Sequence, residues 1–205
     1  MNEESKPYNP LDTDNLGESL VRQLILMDPV RMDKLETFPG AGVYAIYYTG
    51  DHPAYVDLAK ANKDAAFKQA IYVGKAIPSG GRKGTVALGN VTGRYLHKRL
   101  SEHAESLKAA SNLDVTDFYA RWLVVEPIWI PLIETLMINR SACVWNAVVE
   151  GFGNHNPGKN RSSGTRTKWD TMHPGRQWAE TATTSDRWTE ITLRQEAKTW
   201  IAQRL

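Results

Sequence analysis

The chain has 205 residues, 41% of them hydrophobic and 23% charged, enough for one domain with a true core. It holds no apolar run of membrane-spanning length, and its start, MNEESKPYNP, has no apolar signal-peptide region, so membrane insertion and secretion are not expected and a cytoplasmic location is. One cysteine, Cys143, excludes an intrachain disulfide, no Cys/His set has zinc-finger spacing, and the net charge of +2 conceals an uneven distribution. Residues 1–37 carry eight acids against four bases, 75–108 seven Lys/Arg against two acids, and 155–178 five Lys/Arg against Asp170 alone. The two basic stretches suit a polyanionic partner, or are simply solvated surface.

In chain order, residues 1–12 read as a loose arm. From Asn15, NLGESLVRQLILMD places Leu16, Leu20, Leu24 and Met27 on one helical face. That helix either covers the core or serves contact with a partner molecule. FPGAG, 38–42, is turn chemistry before a strand, GVYAIYY, 42–48, whose two faces are both apolar, as in a central strand. DLAKANKDAAFKQ, 57–69, has helical composition and joins this strand to a second, IYVGK, 71–75.

A long glycine-rich loop follows, with Arg82 and Lys83. Its glycines lack the GxxxxGK[ST] order of a nucleoside-triphosphate loop. Residues 93–110 form a helix with Leu96, Leu100 and Leu107 as its buried stripe, and with Arg99 and His103 one turn apart. DFYARWLVV, 117–125, is a third strand, and EPIWIPLIETLMINR is a helix with proline near its start. Past Asn146 come a glycine- and asparagine-rich stretch, a basic loop flanked by Trp169 and Trp178, and a last helix at about 186–204. Cys143, among apolar neighbours, is a core thiol.

Glu134 stands out. It shares a helix face with Ile130, Ile133, Met137 and Ile138, where a carboxylate is costly unless paired or bound to a cation. Two readings stay open: a core ion pair with Arg99, or a metal ligand. The two strands pose a similar choice. Tyr44 and Tyr72 are either half-buried strand aromatics or the floor of an active site.

GVY at 42–44 and YVG at 72–74, with Arg99 and His103 at R-x3-H spacing, Glu134 on the next helix and Asn146 twelve residues on, resemble the GIY-YIG nucleases over about residues 40–147. Val43 and Val73 replace the two isoleucines. Length, insertion and basic tail further resemble the small type II restriction endonucleases of that superfamily that cut CCGCGG, the SacII isoschizomers. The resemblance implies a mixed α/β fold with a small, mainly antiparallel three-stranded sheet flanked by helices. It divides the chain into an arm and helix (1–37), a catalytic core (38–147, insertion 49–70) and a basic extension (148–205).

The same resemblance implies hydrolysis of double-stranded DNA with Mg²⁺, for which Mn²⁺ would substitute, held by Glu134. Arg99 would clamp the phosphate, and Tyr44, aided by Lys75 or His103, would activate water. Tyr72 would orient water or phosphate, and Asn146 would fix a phosphate or hydroxyl. Arg82, Lys83, Lys159, Arg161, Arg166, Lys168 and Arg176 are candidates for DNA contact. A homodimer would suit a palindrome, with a separate methyltransferase protecting the host DNA. A homing or repair-type GIY-YIG nuclease, or a DNA-binding protein without cleavage, are the alternatives.

Overall fold

The computed structural model describes residues 12–78, 92–154 and 164–205. The N-terminal arm expected at 1–12 lies outside these but for Asp12, as do Arg82, Lys83, Lys159 and Arg161. In order, the elements are α1 (Thr13–Leu26), β1 (Val30–Arg31), β2 (Gly42–Tyr48), α2 (Val56–Asn62), β3 (Tyr72–Ala76), α3 (Tyr95–Ala109), β4 (Phe118–Val124), α4 (Ile130–Ser141), α5 (Val144–Ala147), α6 (Lys168–Met172), α7 (Gln177–Glu180) and α8 (Glu190–Ala202). The sheet is antiparallel throughout, with strand order β1-β4-β2-β3. Its fourth strand, two residues long at one edge, is too short to carry an alternation pattern.

β2 is central and every one of its seven residues is buried. The period of two sorts them. Tyr44, Ile46 and Tyr48 join Leu96, Leu100 and Leu107 of α3, while Val43, Ala45 and Tyr47 join Ile130, Ile133 and Met137 of α4. α3 thus packs on one face and α4 on the other. Phe152, Trp169, Met172, Leu193, Ala197 and Ile201 belong to the same core as Tyr44, so the stretch past 148 is built into the domain. On the other face Leu24 of α1 is buried, while Ile25 and Leu26 at its end are exposed.

The helix expected over 57–69 stops at Asn62. The buried Asn62 amide donates to the carbonyls of Tyr48 and Gln69 and accepts from the Gln69 N–H, cinching the loop shut. Within that loop Asp64, Ala65 and Phe67 take positive φ, so tertiary contacts override helical composition. Trp169 is a fully buried core residue. Cys143 is a buried free thiol. Among the described residues no helix is long and apolar enough to cross a membrane.

Candidate active site

Strand register fixes the first half of the site. Tyr44 of β2 lies opposite Gly74 of β3, and Ile46 opposite Tyr72, so both tyrosines stand on the α3 face. A Cβ at Gly74 would fall 2.5 Å from the Tyr44 hydroxyl and 3.1 Å from Cε1 of Tyr72. The glycine of YVG is therefore the gap over which Tyr44 lies. α3 supplies Arg99 and His103 to this face. Lys75 pairs with Val43 and so belongs to the α4 face, where Glu134 also sits. The two faces meet at the edge strand, in a cleft of about 410 Å³ lined by Tyr44, Tyr72, Lys75, Arg99, Glu102 and Glu134 among others.

The Tyr44 hydroxyl lies 2.6 Å from Nε2 of His103, and both side chains are buried. The His103 ring stacks on Phe152 with centroids 4.5 Å apart and meets Tyr72 edge-on at 5.4 Å. Burial, and after it the neighbouring Tyr72, hold the Tyr44 hydroxyl well above the ordinary tyrosine range, and the Arg99 charge offsets this only in part. Tyr72 is likewise raised, chiefly by burial, with Arg99 opposing. Tyr44 is thus a neutral phenol at pH 7. It can accept a proton only if its own passes to His103. Of Lys75 and His103, the histidine is the one in contact with it.

Lys75 instead pairs with Glu134, Nζ to Oε2 at 2.6 Å. This is the ion pair that Glu134 forms, in place of the core pair with Arg99 weighed from the sequence, and both side chains are part-exposed in the cleft. Arg99 donates from Nη2 to the Gly153 carbonyl at 2.7 Å. Among the described residues no group of three or more His, Cys, Asp or Glu could hold a metal. The donor set at the cleft is Glu134, with Glu102 nearby on its wall. A hard cation that keeps most of its waters and takes substrate oxygens fits such a sparse carboxylate site. It would share Glu134 with Lys75.

Asn146 is engaged with the sheet. Its Oδ1 accepts from the Val73 N–H and its Nδ2 donates to the Val73 carbonyl, each at 2.9 Å. The side chain stands in for a neighbouring strand and docks α5 on β3, the strand that carries Tyr72 and Lys75.

Arg176, a candidate for DNA contact, is held inside the protein. It is buried and its five N–H groups are all taken: two by Asp170, two by the carbonyls of Phe152 and Asn154, one by that of Gly151. Its guanidinium lies between the rings of Trp169 and Trp178, at 4.4 and 4.7 Å. Arg166 is tied to the Ala179 carbonyl and to Glu180, and Lys168 lies 5.9 Å over the Trp188 ring. Sequence reasoning missed Gly153, Glu102, Tyr95 and Lys98, which also line the cleft. Only the glycine content past Asn146 hinted at the first of these.

Paired tyrosines on adjacent antiparallel strands, with the Arg and His of one covering helix and the Glu of the other, define a GIY-YIG nuclease domain. The family model described as Eco29kI GIY-YIG domain matches residues 36–201. The chain belongs to this family of restriction-type GIY-YIG nucleases, and the match runs through α8. No curated protein matches the chain.

Proposed function

We propose that the protein is a type II restriction endonuclease that hydrolyses double-stranded DNA at a short palindrome, CCGCGG, as a cytoplasmic homodimer with one divalent cation per active site. The Tyr44–His103 hydrogen bond, in a cleft that also holds Arg99 and Glu134, is the observation that carries this reading. Arg99 grips the scissile phosphate with its planar donors. As water attacks phosphorus, one water O–H bond breaks and the proton goes to the Tyr44 oxygen, while the tyrosine's own proton passes to Nε2 of a neutral His103. The new P–O bond forms as the bond to the leaving 3′ oxygen breaks, and that oxygen takes up a proton from solvent to become a hydroxyl. Tyr72 orients the water or a phosphate oxygen by its hydroxyl.

Glu134 would hold Mg²⁺, or Mn²⁺ in its place, and when bound the ion supplies positive charge for the developing oxyanions. Lys75 holds the Glu134 carboxylate in the cleft by their ion pair. A methyltransferase acting on the same site, with no stable complex to this chain, would protect the host DNA.

The test is cleavage of a plasmid with a single CCGCGG site, with Mg²⁺ or EDTA, by wild type and Glu134→Ala. Metal-dependent cutting at that site, lost in the variant, is expected. Cutting elsewhere would discard the palindrome and keep the chemistry. Tight binding with no cutting would make this a DNA-binding protein.

A further inference from the structure

The wall of the cleft facing β3 is a turn, residues 151–154, that no strand or helix contains. Its Phe152 ring stacks on His103 and meets Tyr72 edge-on at 5.1 Å. Its Gly153 carbonyl takes the 2.7 Å hydrogen bond from Arg99 Nη2. From behind, Arg176 holds the carbonyls of Gly151, Phe152 and Asn154. The turn is therefore gripped by the active-site arginine on one side and by a buried ion pair on the other.

The two glycines of the turn have different reasons. Gly151 has φ +113°, a conformation that side chains resist. Gly153 is not among the residues at positive φ, so its backbone would accept any residue. What forbids a side chain there is the active site: a Cβ would fall 2.6 Å from the Tyr72 hydroxyl and 3.4 Å from Arg99 Nη2. The first distance is shorter than real Cβ contacts allow.

We propose that Gly153 is a positioning residue for phosphodiester hydrolysis. Its carbonyl aims the Arg99 guanidinium, and its bare Cα leaves the space in which the Tyr72 hydroxyl stands. It acts through those two side chains and has no contact with the reacting atoms. The inference rests on the nuclease reading above.

Single-turnover cutting with enzyme in excess would be measured for wild type, Gly153→Ala, Tyr72→Phe and the double variant, together with KM for DNA and the thermal midpoint. Gly153→Ala is expected to slow cutting on the order of 10²-fold, as sub-ångström misplacement of catalytic groups does, with KM nearly unchanged. In the Tyr72→Phe background the same alanine should cost little, because the atom it strikes is gone. Should Gly153→Ala unfold the protein, recovery of the fold in the double variant would carry the same conclusion, and failure to recover would overturn it. Full-rate cutting by Gly153→Ala, or a loss that multiplies with that of Tyr72→Phe, would also overturn it. If wild type itself cuts no DNA, the nuclease reading falls and this inference with it.

Discussion

Tyr44 and His103, fifty-nine residues apart in sequence, share a 2.6 Å hydrogen bond inside the protein. The pair works as one proton relay if the reading above holds. Removing either member should then cost as much as removing both. Tyr44→Phe and His103→Ala are each expected to lower the cutting rate by about 10²–10⁴, the range of general acid–base catalysis, with the double variant no slower. Two losses that multiply would mean that the residues act separately.

Lys75 competes with any metal for the Glu134 carboxylate. Lys75→Met removes a positive charge 2.6 Å from the ligand oxygen, so Mn²⁺ should bind several-fold more tightly, as followed by paramagnetic resonance. Glu134→Gln should abolish both binding and cutting. The pair is part-exposed, so stability should change by less than about 1 kcal/mol in either variant. Unchanged Mn²⁺ affinity in Glu134→Gln would remove Glu134 as the ligand.

Asn146→Ala leaves the Val73 N–H and carbonyl without their partner and loosens α5 from β3. A loss of about 1–3 kcal/mol is expected from urea unfolding. Cutting should slow as well, since Tyr72 and Lys75 ride on that strand. A rate defect with no loss of stability would give Asn146 a direct role at the phosphate.

Arg176→Met leaves the buried Asp170 carboxylate with only the hydrogen bond from the Thr167 hydroxyl. The expected cost is about 3–5 kcal/mol, read from the denaturant midpoint, since it strands a charge in the interior. Replacing both partners, Arg176→Met with Asp170→Leu, should recover much of it. A shift confined to DNA affinity would restore Arg176 as a DNA contact.

Acid should destabilise the fold through His173. The Tyr55 hydroxyl donates to Nε2 of this buried ring at 2.7 Å and itself accepts from Trp145 Nε1, while Nδ1 of His173 donates to Asn112 Oδ1. Those bonds require the neutral ring. Burial, then His52 and Arg176, lower its affinity for protons well below the ordinary histidine value of 6.5. The unfolded chain therefore binds the proton first. Stability is full above pH 6.5 and falls below it, by up to about 1.4 kcal/mol per pH unit until the folded ring itself titrates. Burial lowers His52 too and adds to the slope. In His173→Gln the dependence between pH 5 and 6.5 should flatten, and a slope that stays the same would assign it elsewhere.

Local spacing carried most of the site. The apolar character of both faces of GVYAIYY pointed to a central strand, and the one-turn separation of Arg99 and His103 put both on one helix face. Glu134 was conspicuous because a carboxylate interrupted an apolar stripe. Its partner was not legible, since Lys75 reaches it across a sheet edge that only the register defines. The burial of Arg176 was hidden for a related reason: in composition a buried arginine looks like its solvated neighbours, and its distinguishing mark is the complement of acceptors around it. The helix at 57–69 failed at Asn62, where three side-chain hydrogen bonds outweigh propensity. Asn146 was found by its place in a motif, which says nothing of what an amide holds.

At one margin of the sheet β1 is only two residues long, and at the other Asn146 occupies the Val73 backbone while the Trp145 N–H takes the Ile71 carbonyl. The amide that steadies the strand carrying Tyr72 and Lys75 thus also fills part of that strand's outer edge, and leaves a strand from another molecule less backbone to pair with there.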